Sequence, residues 1–385
     1  MPEDPTQPSP IREEPPRKVP LYRRILFLSI PYLLIVLLLL GIEGGVRYFL
    51  PYLPVLEVFV QRPALRPDLA ENIDSSVFMG DPWLIWRLRP NVKNAIWEFT
   101  VVSTNGQGFR HPGDIGRKRK GAIRILCLGD SVTFGFRVPL VFPEYPDAYA
   151  REFICYPLLV EKRLRDANPG KLIEVIPMAV PAYTSYQGLN WLERDISRLK
   201  PDVVTTCFGW NDVSYRVASD HDAMPLDWQH LGARWLLAHS QALTHFSRWR
   251  HTKNVKGAPP PPPANTLRVS IGDYLVNQVK MAWIARNHGA RPMFIGSIYR
   301  DAVEDPREAA LMKQYRDLLR ASAAELDIPF LDVIPLSEEA FPANVPLFGE
   351  RIHPNGWGHQ VFASELLKFF KEHKMLPTLE VPESL

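Results

Sequence analysis

Ile123-Arg124-Ile125-Leu126-Cys127-Leu128 runs straight into Gly129-Asp130-Ser131-Val132-Thr133-Phe134-Gly135, and this stretch decides how the rest of the chain is read. Apart from Arg124, the first six residues are apolar, the pattern of a short buried strand. Gly129 lets the chain turn sharply where the strand ends. Ser131 then opens the next segment, with its hydroxyl across the carboxyl edge of the sheet. Asp130 reads as a turn-capping residue, since Asp and Ser favour turns and caps.

Downstream, strands and helices alternate. A helix is expected at 157–167, with Pro157 in its first turn and Asn168-Pro169-Gly170 ending it. Strands are expected at 172–176, 203–208, 292–296 and 329–333. Further helices are expected at 185–199, 273–287, 308–326 and 356–371. In 185–199, Leu189, Leu192, Ile196 and Leu199 fall on one face. This alternation predicts an α/β fold of three layers, flavodoxin-like, with a five-stranded parallel sheet between two helix layers. The expected strand order is 2-1-3-4-5. Its topological switch lies between strands one and three, where open α/β sheets bind ligands. Two stretches interrupt the core: 138–154, and an insertion at 213–272. The insertion contains Leu231, Trp235, Ala238, Ala242, Phe246 and Trp249 at helical spacing, and a stiff Pro259–Pro263 run. It reads either as a helix packed on the sheet with a spacer or as a lid.

Upstream, residues 25–42 are uncharged and dominated by Leu, Ile and Val, long enough for a membrane span, and 44–50 extends it towards the interface. Arg12, Arg17, Lys18, Arg23 and Arg24 precede the span, and after Arg47 no Lys or Arg occurs until Arg62. The positive-inside rule therefore puts the tail in the cytoplasm and the rest outside. The expected organisation is a disordered cytoplasmic tail (1–24), a transmembrane anchor (25–50), a juxtamembrane β annex (51–120), a main domain (121–376) and a short tail (377–385). A cleaved signal peptide is the competing reading; the long apolar run and the lack of an A-x-A-like site speak against it. Strands are expected in the annex at 83–88 and 96–104.

Composition excludes several classes. The formal net charge is +3, with no long basic run, so nucleic-acid binding has no support. Three cysteines, Cys127, Cys155 and Cys207, cannot all pair within one chain, and the two in strand patterns read as small buried hydrophobes. No His or Cys spacing suggests a metal site.

Three further blocks accompany Gly129–Gly135. Gly209-Trp210-Asn211-Asp212 ends the third strand. Glu350-Arg351-Ile352-His353-Pro354-Asn355 precedes the last helix. Pro177-Met178-Ala179-Val180-Pro181-Ala182-Tyr183-Thr184-Ser185-Tyr186-Gln187 follows the second strand. This is not the GxSxG elbow of α/β-hydrolases. Together the blocks resemble the GDS(x)xxG, GxND, DxxHPN and NxGxxGxT blocks of SGNH (GDSL-like) hydrolases, in family order across 123–370. Three departures stand out. Glu350 occupies the acid position in place of Asp, Ala179 and Ala182 replace glycines, and Pro177 replaces the asparagine.

The resemblance implies a serine esterase or acylhydrolase without metal or cofactor. Ser131 would be the nucleophile, His353 its base and Glu350 the orienting acid, with Asp332 at a strand end as the competing acid. The N–H groups of Ser131 and Ala182 and the amide of Asn211 would form the oxyanion hole. A positive φ at Ala182 would cost about 1 kcal/mol. The expected partners are an ester substrate (lipid, glycan or small ester) and the membrane through 25–50. Trp210, Tyr183 and Tyr186 are expected to line the cleft, which would suit a sugar or an acyl chain. The expected location is the cytoplasmic membrane, single-pass, with the catalytic domain extracytoplasmic (periplasmic in a Gram-negative cell). Two alternatives fit the same sequence: a glycan O-acyltransferase with the same triad, and a catalytically weak, membrane-tethered binding module.

Overall fold

Side chains alternate inside β5 (Ile123–Gly129), and that alternation builds the layers. Ile125 and Cys127 join one apolar cluster, whereas Leu126 and Leu128 join another. Successive strand residues point to opposite faces, so one buried strand seeds both helix layers. The first cluster is completed by α4 (Tyr156–Ala167) and α11 (Gly356–Glu372) through Leu159, Leu164, Phe362 and Leu366. The second is completed by α5 (Ser185–Leu199), α9 (Ile271–Asn287) and α10 (Pro306–Glu325) through Leu192, Met281 and Leu319. All three cysteines are free and buried.

This computed structural model describes residues 20–60, 74–140, 154–255, 263–297, 306–333, 347–348 and 352–382. The other strands of the main sheet are β6 (Ile173–Ala179), β7 (Val203–Cys207), β10 (Arg291–Ile295) and β11 (Phe330–Leu331). They are parallel and lie in the order β6-β5-β7-β10-β11, which is the expected 2-1-3-4-5. Gly129 is in register with Ala179 on one side and Cys207 on the other. The segments after these three strands therefore leave the sheet at one level, on either side of the switch point.

The chain divides into two compact units. The first runs to Tyr52 and includes Ser240–Ala242. It holds α1 (Leu21–Phe49), whose part from Ile25 to Phe49 has a mean hydropathy of 2.8 and no buried residues in its apolar window. Within this unit the Glu43 carboxylate accepts from Ser240 Oγ and from the Gln241 and Ala242 N–H groups at 2.7–3.0 Å. The second unit contains the rest.

The annex differs from its expected strands. Following α2 (Val55–Val60) it has two antiparallel hairpins, β1 (Phe78–Asp81) with β2 (Ile85–Leu88), and β3 (Ala95–Trp97) with β4 (Thr100–Val102). The expected strand at 96–104 is broken because Glu98 and Phe99 take φ of 46° and 59°, a two-residue hairpin turn. The insertion carries a single-turn α6 (Asp220–Ala223) and two longer helices, α7 (Trp228–His239) and α8 (Gln241–Val255). A short pair, β8 (Tyr215–Arg216) with β9 (Thr266–Leu267), closes its base. Leu237 and Ala238 pack on the core, while Trp228, Trp235, Phe246 and Trp249 are exposed. Residues 141–153 of the 138–154 loop and 259–262 of the proline run lie outside the described residues, as does 1–19 of the tail. The segment after 376 is not wholly a tail: Leu379 and Val381 pack on the core, and the Glu380 N–H donates to Asn168 Oδ1 at 2.9 Å.

Candidate active site

The close approach of strands at the β5 edge explains Gly129. A Cβ there would collide with the Thr133 side chain and stand 3.0 Å from Cys207 O. The glycine thus permits a tight strand-to-helix junction. Asp130 caps the short α3 (Ser131–Phe134) by accepting from the Val132 N–H at 2.9 Å. Ser131 is left half-buried at the first helical position.

Residue 353 arrives from the other end of the chain. An isolated bridge between Phe348 and Pro354 and the Asn355 cap on α11 fix its backbone. His353 Nε2 stands 2.7 Å from Ser131 Oγ across 222 residues of sequence. Its ring packs against Phe136 at 4.7 Å between centroids, and Phe136 leans edge-on against Trp97 of the annex at 5.5 Å. Glu350 lies outside the described residues. Asp332 forms ion pairs with Arg316 and Arg320 of α10.

Ala182 has φ of 66°, the left-handed conformation that costs a residue with a Cβ about 1–2 kcal/mol. The Asn211 amide donates to Tyr183 O at 3.0 Å and more loosely to Asp130 Oδ2 at 3.3 Å. The post-strand segments are thereby tied together: Asn211 follows β7, Tyr183 follows β6 and Asp130 follows β5. Asp212 adds a second tie by accepting from the Ser185 N–H at 3.0 Å and from Ser185 Oγ at 2.5 Å. Burial pushes the Asp212 carboxyl up to about 7, against the pull of the Ser185 hydrogen bonds and the Arg268 guanidinium. Burial likewise raises Asp130 to about 6, opposed by the Val132 N–H and by the positive field of His353.

This arrangement can pass the Ser131 proton to an imidazole already in hydrogen-bond reach, which is the geometric requirement for nucleophilic catalysis. The sequence blocks put Ser131, His353, Ala182 and Asn211 at one edge of the sheet, and the structure places them there. The expected aromatic lining is not where the motif suggests. Tyr183 and Trp210 are buried in the core, and Tyr186, half-buried, donates to Met224 O at 3.0 Å. Residues that no block singles out include Trp86, Trp97 and Arg110 in the annex. Arg110 donates to Phe134 O at 2.5 Å, to Gly135 O at 2.8 Å and to Val138 O, and so holds the turn after Ser131. A lone arginine in a loop carries no sequence signal for such a role. Two cavities of about 580 and 590 Å³ lie elsewhere and are not lined by Ser131 or His353.

The family model described as GDSL-like Lipase/Acylhydrolase family matches residues 127–361. No curated protein matches the chain by sequence. Among solved structures, it is similar to LAE5, an alpha/beta hydrolase enzyme from the metagenome of Lake Arreo, Spain. The identity is 19%, covering 65% of this chain and 95% of that one, with a TM-score of 0.43. It is also similar to Axe2, an acetylxylan esterase from Geobacillus stearothermophilus, at 20% identity over 66% of this chain and 95% of that one, with a TM-score of 0.42.

Proposed function

The chain belongs to the GDSL-like lipase/acylhydrolase family of carboxylic ester hydrolases, and from that premise we propose that it cleaves its ester through an acyl-enzyme on Ser131, outside the cytoplasmic membrane. The observation that carries this reading is the 2.7 Å contact between His353 Nε2 and Ser131 Oγ at the carboxyl edge of the sheet.

In this mechanism His353 takes the Ser131 proton as Oγ attacks the ester carbonyl. The carbonyl oxygen becomes an oxyanion, held by the N–H groups of Ser131 and Ala182 and by the Asn211 amide. The tetrahedral intermediate collapses, and the imidazolium gives its proton to the leaving alkoxide. Water, deprotonated by His353, then attacks the acyl-enzyme; Ser131 Oγ leaves and recovers its proton from His353, and the carboxylic acid is released and ionises in solvent. Glu350 is the acid assigned to orient His353. Of the two Asn211 contacts, the weaker, to Asp130, is the one an oxyanion would displace. Asn211→Ala should therefore lower kcat by about 10² with a smaller change in KM. A loss below about threefold, with Ser131 still essential, would restrict Asn211 to its structural bond with Tyr183.

The apolar α1 supports the anchored reading, and the basic flank supports an external catalytic domain. One experiment tests the nucleophile and the location together. A membrane-impermeant fluorophosphonate added to intact spheroplasts of an expressing bacterium should label the full-length chain at Ser131. Labelling only after lysis reverses the orientation. A shortened, soluble, labelled product means that the leader is cleaved. No labelling even after lysis removes Ser131 as nucleophile.

A further inference from the structure

Between β6 and α5 the chain makes a tight turn in which the Tyr183 N–H donates to Val180 O at 3.2 Å. Pro181 holds its second position, and Ala182 holds the third with φ of 66°. A proline followed by a positive φ makes this a type II turn. Types I and II share their ends and differ in the central peptide, which is turned over between them. Here the central peptide joins Pro181 to Ala182, and its N–H is the one assigned to the oxyanion. In a type I turn that N–H would face away. Alanine favours type I, in which its φ is negative, whereas glycine after proline takes the positive φ of type II without strain. The chain has thus put at this position a residue that pulls the donor out of place.

Two side chains oppose that pull. The Trp86 indole N–H donates to Pro181 O at 3.3 Å. In a planar trans peptide the C=O and N–H point in opposite directions, so holding Pro181 O aims the Ala182 N–H. Trp86 is only 1% exposed, and the Tyr183 hydroxyl returns to Trp86 O at 2.5 Å. On the far side, Arg268 Nη1 donates to Ala182 O at 2.9 Å. The Arg268 guanidinium is itself held by both Asp220 oxygens, at 2.9 and 2.8 Å, and Thr184 Oγ1 donates to Asp220 at 2.7 Å.

We propose that Trp86 and Arg268 are positioning residues that lock the Val180–Tyr183 turn in its type II form and so keep the Ala182 N–H directed at the oxyanion. The proposal rests on the acyl-enzyme reading of Ser131. It makes the annex, which precedes the family-matched residues 127–361, a working part of the oxyanion hole.

The test is a cycle on the full-length protein with p-nitrophenyl acetate: wild type, Trp86→Phe, Ala182→Gly and the double variant. Trp86→Phe should lower kcat about tenfold and change KM less than about twofold. In the Ala182→Gly background the same change should cost less than about threefold, because Pro-Gly keeps the type II turn without help. An equal loss in both backgrounds overturns the proposal, as does a lower Tm with kcat unchanged. Should Trp86→Phe fail to fold, Arg268→Lys takes its place, with the same rescue expected and the same outcomes overturning it. Fluorophosphonate labelling separates the two levels. A wild type that is not labelled at Ser131 overturns both readings. A wild type that is labelled, with positioning variants labelled at the same rate, overturns the turn lock alone.

Discussion

Ser131→Ala should leave the fold intact and abolish ester hydrolysis, a loss of about 10⁴ or more in kcat. The hydroxyl does little else for the fold. Ser131 is half-buried at the start of α3, and its Oγ meets His353 Nε2. The cap of α3 comes from Asp130, and the following turn is held by Arg110, so both survive the change. Alanine is also a good helix residue. Unfolding midpoints should therefore be close to wild type while hydrolysis disappears. A folded Ser131→Ala protein with full activity would remove the triad altogether.

His353→Ala should cost nearly as much, about 10³–10⁴ in kcat, because the serine hydroxyl is a poor nucleophile without a base to take its proton. The more telling measurement is the double variant. Groups that act as one unit are strongly non-additive, so Ser131→Ala with His353→Ala should be no slower than Ser131→Ala alone. Additive losses would mean that the two side chains work separately, in spite of their 2.7 Å contact. The His353 ring also packs on Phe136, so His353→Gln, which keeps more of that bulk, guards against a packing artefact. Its loss should match that of the alanine variant within about tenfold.

Much of this architecture is legible in the amino-acid sequence. The five apolar residues around Arg124 before Gly129, the helix at 185–199 and the parallel pairing of five strands follow from hydrophobic periodicity and from strand–helix alternation, both of which are local or topological rules. Ser131, Asn211 and His353 are legible because each follows a recognisable break, a strand end or a helix start, within a characteristic block. The annex hairpins are less so. The 98–99 turn has no glycine or asparagine to mark it, and Glu98 and Phe99 adopt positive φ under tertiary constraint.

By itself the sequence determined the layers and which residues stand at the sheet's carboxyl edge, because burial period and chain connectivity are written locally. Tertiary structure alone decided which side chains hold them in working geometry. Trp86 reaches Pro181 across 95 residues, and Arg268 reaches Ala182 across 86. A hydrogen bond of that span depends on where two surfaces meet after packing, and neither an indole nor a guanidinium announces its partner in the chain. Tyr183 shows the same limit from the other side: its place in the motif suggested a cleft wall, but the meeting of the annex with the sheet buries it completely.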